Sequence, residues 1–212
     1  MEYGIGNRWG GLIFLEMKKA LFIIVALLMA FSASAQYPGI TYPDNHQLIP
    51  QSHAQKTIDR TTDIVAIALP ASALIGTLCA RDWKGLVQGV ETAAATAAMT
   101  LILKYGVKEW RPDFSDTHSF PSGHSAVSFA TAAYLQRRYG WKFGAPAYAL
   151  SCYVAWGRVF ARQHHVWDVV VGAAIGAGSA YIFTTPFARK HNLQIAPVSD
   201  GRSIGAYASF EF

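Results

Sequence analysis

The sequence predicts an all-α fold, a bundle of about five to six membrane-embedded helices followed by a short C-terminal β-hairpin. Three observations carry that expectation. The chain has 212 residues, enough for one domain with short appendages. It is 52% hydrophobic and only 15% charged, where about a quarter charged is usual for a soluble domain. Long uncharged runs such as Ile64 to Ala80 and Val169 to Ala188 alternate with short turns that hold the basic residues.

The front of the chain reads as a targeting segment. Lys18 and Lys19 form a positive start, Ala20 to Phe31 is an apolar stretch of signal length, and Ala33-Ser34-Ala35 matches the small-x-small cleavage rule before Gln36. Residues 1–35 are therefore expected to be an N-terminal extension with a signal peptide, or an uncleaved signal anchor. Residues 36–56 are rich in proline, glutamine and turn formers without periodicity, and read as an irregular linker. Residues 57–190 make the helical domain, with helices expected at about 57–80, 84–106, Pro121 to near Tyr139, 145–161 and 165–187. Alanine, glycine and serine dominate several of their faces, which suits close helix–helix approach in lipid. Residues 191–212 alternate loosely around Asp200-Gly201 and read as a hairpin.

The turns show a charge bias. Arg81 and Lys84 follow the first helix, Arg137, Arg138 and Lys142 follow the third, and Arg189 and Lys190 follow the fifth. If these sites are cytoplasmic the positive-inside rule is met, and the second-to-third and fourth-to-fifth connections share the other side. The net charge of +5 comes without a basic tract, which argues against nucleic acid as partner. Cys79 and Cys152 stand alone in apolar runs with no metal-ligand spacing, so they read as small buried hydrophobes.

Three clusters fall on the two connections opposite the basic turns. Lys104 and Arg111 are seven residues apart, two helical turns, and Pro112 prevents the helix from continuing. Taken alone, the two cations read equally as interfacial anchors. Pro121-Ser122-Gly123-His124-Ser125 starts the third helix: Ser122 is a natural N-cap, Gly123 admits close backbone approach, and the free N–H groups of the first turn favour an anion. The third cluster runs from Gly157-Arg158 to His164-His165 and Asp168, with His164 and Asp168 one helical turn apart. A carboxylate there can accept Nδ1–H, fix the tautomer and stabilise an imidazolium. Jointly the clusters supply three cations, an anion site, a positioned histidine and a second acid/base.

The pattern Lys104-x6-Arg111-Pro112, Pro121-Ser122-Gly123-His124, then Arg158-x5-His164-x3-Asp168 resembles the three signature motifs of the type 2 phosphatidic acid phosphatase family. That superfamily includes bacterial class A acid phosphatases and vanadium-dependent haloperoxidases. In one departure, Gly157 stands where the family usually has serine. The resemblance implies that His164 is the nucleophile and becomes phosphohistidine, that Asp168 orients it, and that His124 is the general acid and base. Lys104, Arg111, Ser122, Gly123 and Arg158 would hold the phosphate oxygens. No metal and no cofactor are implied. The expected activity is metal-independent hydrolysis of lipid-linked phosphate or pyrophosphate, with a phosphorylated lipid and membrane lipids as partners, at the bacterial inner membrane with the site facing the periplasm. A soluble periplasmic acid phosphatase, a vanadate-binding haloperoxidase and a non-catalytic phospholipid-binding envelope protein are the alternatives. Asp113, Asp116 and His118 are expected to be solvated loop residues, and His165 and Arg162 match no family position.

Overall fold

The computed structural model describes residues 48–187 and the backbone of 193–199 and 204–210. The targeting segment and most of the linker lie outside the described residues. Five helices form the body: α1 (His53–Cys79), α2 (Trp83–Gly106), α3 (Gly123–Tyr139), α4 (Trp141–Phe160) and α5 (Val166–Phe183).

Each boundary has a local cause. Helix α1 begins at His53, ahead of the expected 57, because Ser52 and Gln55 form a capping box in which each side chain satisfies the other's backbone N–H. Asp82 caps α2 by accepting from Gly85 N at 2.9 Å. Gly140, at φ 91, ends α3 and starts α4 in a backbone conformation that side chains rarely adopt. Helix α5 stops at Phe183 and not at 187, since Pro186 biases the residue before it away from helical geometry.

Helix α3 is the hub and touches all four others. Small residues allow this: Ser125, Ala126, Ser128, Ala130, Ala132 and Ala133 are all buried. The tightest contact is with α5, where Cβ atoms at Gly172 and Gly176 would lie 2.4 Å from Ser122 O and 2.0 Å from Ala126 O. Those two glycines, four residues apart, are a small-xxx-small stripe that seats α5 on α3. Leu103, Phe120, Val171 and Ile175 form the core cluster beside the α2–α3 connection.

Away from those connections, the buried pair Asp82 and Arg138 staples the α1–α2 turn to the end of α3. Arg138 Nε donates to Asp82 Oδ2 at 2.6 Å, its terminal nitrogens donate to Asp82 Oδ1 at 2.5 Å and Thr185 O at 2.8 Å, and Tyr139 OH adds a bond of 3.0 Å to the carboxylate. One of the basic residues read as a topology signal is thus consumed by packing.

Helices α1, α2 and α5 are long and apolar enough to cross a membrane. Ile64, Ile67, Ile75, Val87, Val90, Leu101 and Ile102 point outward from them, and exposed tryptophans mark both ends, Trp83 and Trp141 at one and Trp156 and Trp167 at the other. That is an apolar belt between aromatic girdles. It also corrects the reading of the cysteines: Cys79 and Cys152 are exposed, because a bundle with an apolar exterior does not bury every apolar position. The C-terminal hairpin is not supported as an element of this fold. Segments Leu193–Ser199 and Ile204–Phe210 run antiparallel to each other, but the helices close their bundle without them.

Candidate active site

The connections α2–α3 and α4–α5 meet over the N-terminal ends of α3 and α5. The α2–α3 loop folds back on itself through Glu109 N to Thr117 O at 3.0 Å and Ser119 N to Glu109 O at 3.0 Å. It is joined to α5 by Ser122 N, which donates to Asp168 O at 2.9 Å. In the α4–α5 turn, Arg162 at φ 59 lets the N–H groups of Gln163 and His164 reach the carbonyl of Arg158, at 3.0 and 3.3 Å. The backbone of the Arg158 cluster is therefore directly bonded to that of His164.

His164 is buried, and its Nδ1 lies 2.8 Å from Ser119 O and 3.5 Å from Asp168 Oδ2. A carbonyl only accepts, so Nδ1 carries the proton and Nε2 keeps its lone pair. The expectation gave that tautomer-fixing role to Asp168 alone; the shorter bond is to Ser119, with the carboxylate standing behind it. Burial holds His164 below the ordinary histidine range even though Asp168 pulls the other way. The resting group is a neutral imidazole. Asp168 is fully buried, and its Oδ2 accepts from Ser119 Oγ at 2.5 Å and from His165 N at 2.8 Å.

His124 lies on the first turn of α3, half-buried, with Nε2 at 3.0 Å from Asp63 Oδ1. Arg158 reaches the same oxygen from α4: its Nη1 is 2.8 Å from Asp63 Oδ1 and 2.7 Å from Asp59 Oδ1. An imidazole and a guanidinium from different helices thus converge on one acceptor oxygen. Lys104, in the last turn of α2, donates to His118 O at 2.8 Å. Arg111 bonds Gln163 Oε1 and stands 3.8 Å from Asp116 Oδ2. The Nε atoms of Arg111 and Arg158 are buried with no partner among the described residues. Buried donors of this kind call for an acceptor, and a tetrahedral oxyanion supplies several.

Ser122 is buried and its hydroxyl is engaged at the helix start, accepting from Ser125 Oγ at 3.2 Å and Ser125 N at 3.5 Å. Gly123 is not required by packing, since a Cβ there would meet Thr100 Cγ2 at an ordinary 3.9 Å. At Gly157 the opposite holds. A Cβ would sit 2.4 Å from Thr62 Cγ2 and 3.0 Å from Ile58 Cγ2, so the missing serine hydroxyl coincides with a close approach of α1.

Five residues of the site were not expected from the motifs: Asp59, Asp63, Ser119, Gln163 and Glu109. Asp113 is not a solvated loop residue either; it is buried and accepts from Ser115 N at 3.0 Å and Gln163 Nε2 at 3.1 Å. His165 Nδ1 faces Glu109 Oε1 at 3.2 Å and Asp168 Oδ2 at 3.6 Å. The Asp168 contact raises the histidine, while burial and then Asp168 push Glu109 up to about 7. Glu109, His165 and Asp168 could each offer a ligand atom to an ion, within 4.8 Å of one another. Asp168 Oδ2 is already taken by Ser119 and His165, while Oδ1 is buried with no partner among the described residues.

Known proteins resemble this chain in sequence and in fold. The family model described as PAP2 superfamily matches residues 85–191. A lipid A 4'-phosphatase of Helicobacter pylori (strain J99) is 34% identical over 119 residues, which are 55% of this chain and 56% of that protein. A lipid A 1-phosphatase of Porphyromonas gingivalis (strain ATCC 33277) is 31% identical over 100 residues, 45% of this chain and 22% of that protein. The match therefore spans about half the length of the first relative and less of the second. The crystal structure of Aquifex aeolicus LpxE superposes with a TM-score of 0.54 at 19% identity, over 74% of this chain and 92% of that one, and so shares the fold. Since the family match runs from the start of α2 through all three motifs, the chain belongs to the PAP2 superfamily.

Proposed function

We propose that this protein is a metal-independent phosphatase of the cell envelope that hydrolyses a lipid-linked phosphate through a phosphohistidine intermediate. The observation that carries the proposal is the convergence of His124 Nε2 and Arg158 on one oxygen position, in a site whose neutral, buried His164 has its Nε2 unprotonated.

In the first step the His164 Nε2 lone pair attacks phosphorus and the P–O ester bond breaks. The leaving alkoxide takes a proton from His124. In the second step His124 takes a proton from water as the water oxygen attacks phosphorus. The P–N bond breaks, inorganic phosphate leaves and His164 regains its lone pair. Asp168 and the Ser119 carbonyl face the Nδ1–H and offset the positive charge that grows on the ring. Lys104, Arg111 and Arg158 stabilise charge on the non-bridging oxygens.

The lipid part of the substrate is supported by the outward apolar belt and by three helices able to span a bilayer. The site sits at the ends of α2 and α5, which supports a substrate held at headgroup depth. Arg81, Lys84 and Lys142 are exposed at the far end, which by the positive-inside rule supports a site facing the periplasm. The names of the relatives put lipid A first among candidate substrates, ahead of glycerolipid phosphates and isoprenoid pyrophosphate. Purified protein is tested on these lipids and on a soluble phosphomonoester, with and without EDTA. Release of phosphate from a lipid substrate, undiminished by EDTA, is expected. Turnover confined to the soluble ester, or abolished by EDTA, refutes the reading.

A further inference from the structure

Helix α1 carries none of the three motifs, yet it places Asp59 and Asp63 inside the pocket. The three motif cations are held differently. Lys104 rests on a backbone carbonyl and Arg111 on the neutral amide of Gln163, with the Asp116 carboxylate farther off at 3.8 Å. Arg158, by contrast, is held by two carboxylate oxygens at 2.7 and 2.8 Å, and the second of these oxygens also meets His124 Nε2 at 3.0 Å. An oxygen that carries negative charge and receives both a guanidinium and the acid/base imidazole stands where an oxygen of a bound phosphate would stand.

The two sides of this contact differ in freedom. The Arg158 side chain is 6% exposed, while those of Asp59 and Asp63 are 22% and 47% exposed. The guanidinium is enclosed, whereas the carboxylates are open to solvent. Gly157 explains how they come to be there. Any side chain at that position would strike Thr62 and Ile58, so the position that lacks the family's serine hydroxyl is also the one that lets α1 approach. One neutral hydroxyl has been exchanged for two anions.

We propose that Asp59 and Asp63 are positioning residues that hold Arg158 and His124 and yield them to an arriving phosphate, so that they weaken the site's hold on free phosphate. The proposal rests on the phosphatase reading above. A buried guanidinium without a counter-charge is costly, and the pair supplies one between turnovers. The same charge repels any anion that enters. A lipid ester, anchored by its tail, overcomes this repulsion more readily than inorganic phosphate does, so the product leaves.

The test is direct binding of inorganic phosphate to the full chain in detergent micelles, by calorimetry, for wild type, Asp59→Asn, Asp63→Asn and Asp63→Glu. Asparagine keeps a carbonyl oxygen for Arg158 but removes the charge. Each asparagine variant should bind phosphate about tenfold more tightly, while Asp63→Glu should return toward wild type. In turnover with a lipid phosphate, Asp63→Asn should lower KM, lower kcat through slow product release, and move the alkaline limb of the kcat/KM pH profile to lower pH, because His124, the proton donor of the first step, loses its anionic neighbour. Unchanged or weaker phosphate binding in the asparagine variants overturns the proposal. If Asp63→Asn does not fold, Asp59→Asn decides alone, since it touches Arg158 without touching His124. The calorimetry needs no turnover: a chain that binds phosphate but cleaves no lipid ester refutes the phosphatase reading and still decides this one.

Discussion

The bundle contains two buried arginine–aspartate clusters at opposite ends of the molecule, and they are not equivalent. Arg138 and Asp82 are closed. Both side chains are at most 4% exposed, and all three guanidinium nitrogens of Arg138 donate. The Phe187 ring lies 5.0 Å from the guanidinium carbon, and Asp82 also accepts from Gly85 N. Arg158 with Asp59 and Asp63 is open. Its bonds to the carboxylates run through one nitrogen, Nε is buried without a partner among the described residues, and the carboxylates reach solvent. A guanidinium with all three nitrogens engaged is a staple. One with donors left over beside two histidines is a binding site.

That contrast can be broken by substitution. The largest effect is expected away from both arginines, at the nucleophile: His164→Ala should lower turnover by about 10⁴-fold or more while leaving the unfolding temperature near wild type, as followed by phosphate release and thermal denaturation. The arginines should then divide. Arg158→Gln should lower kcat/KM by about 10²–10³-fold, the scale of a lost oxyanion donor, with little loss of stability. Arg138→Gln should destabilise by about 3–5 kcal/mol, because Asp82 would remain buried without its counter-charge, while activity per folded molecule persists. If Arg138→Gln abolished catalysis in folded protein, or Arg158→Gln mainly unfolded it, the assignment of staple and site would be reversed.

The smallest effect concerns pH. Glu109 faces His165, beside Asp168, and binds its proton more tightly in the folded state, its range moving from 4.5 to about 7. Its contribution to stability is therefore complete below pH 4.5 and is lost as pH rises through about 7. Glu109→Gln should flatten the fall in unfolding temperature across that window by a few degrees. An unchanged slope would show that Glu109 does not titrate there.

The helices were legible because their signals are local: long uncharged runs, Ser122 as a cap, and faces of alanine, glycine and serine. The start of α1 was misplaced by following the apolar run, although Ser52-x-x-Gln55 was present as a capping box. The motif residues were legible as a pattern, and the two connections that carry most of them do meet at one end of the bundle. Asp59 and Asp63 were not, since they lie 99 and 95 residues from Arg158 and only the packing of α1 against Gly157 brings them near. Ser119 was hidden for a related reason. Its backbone oxygen, not its side chain, holds His164 across 45 residues, and no residue type advertises a carbonyl. The tail hairpin misled because alternation over a few residues states a strand preference without saying what the strand would pack on.

The central claim is that phosphate passes through His164. Rapid alkaline quenching of the enzyme during turnover of a radiolabelled lipid phosphate, followed by peptide mapping, tests it most directly. The account predicts a base-stable, acid-labile label on the peptide containing His164, absent in His164→Ala. Full turnover with no labelled protein at any quench time, or label on a different residue, would contradict it.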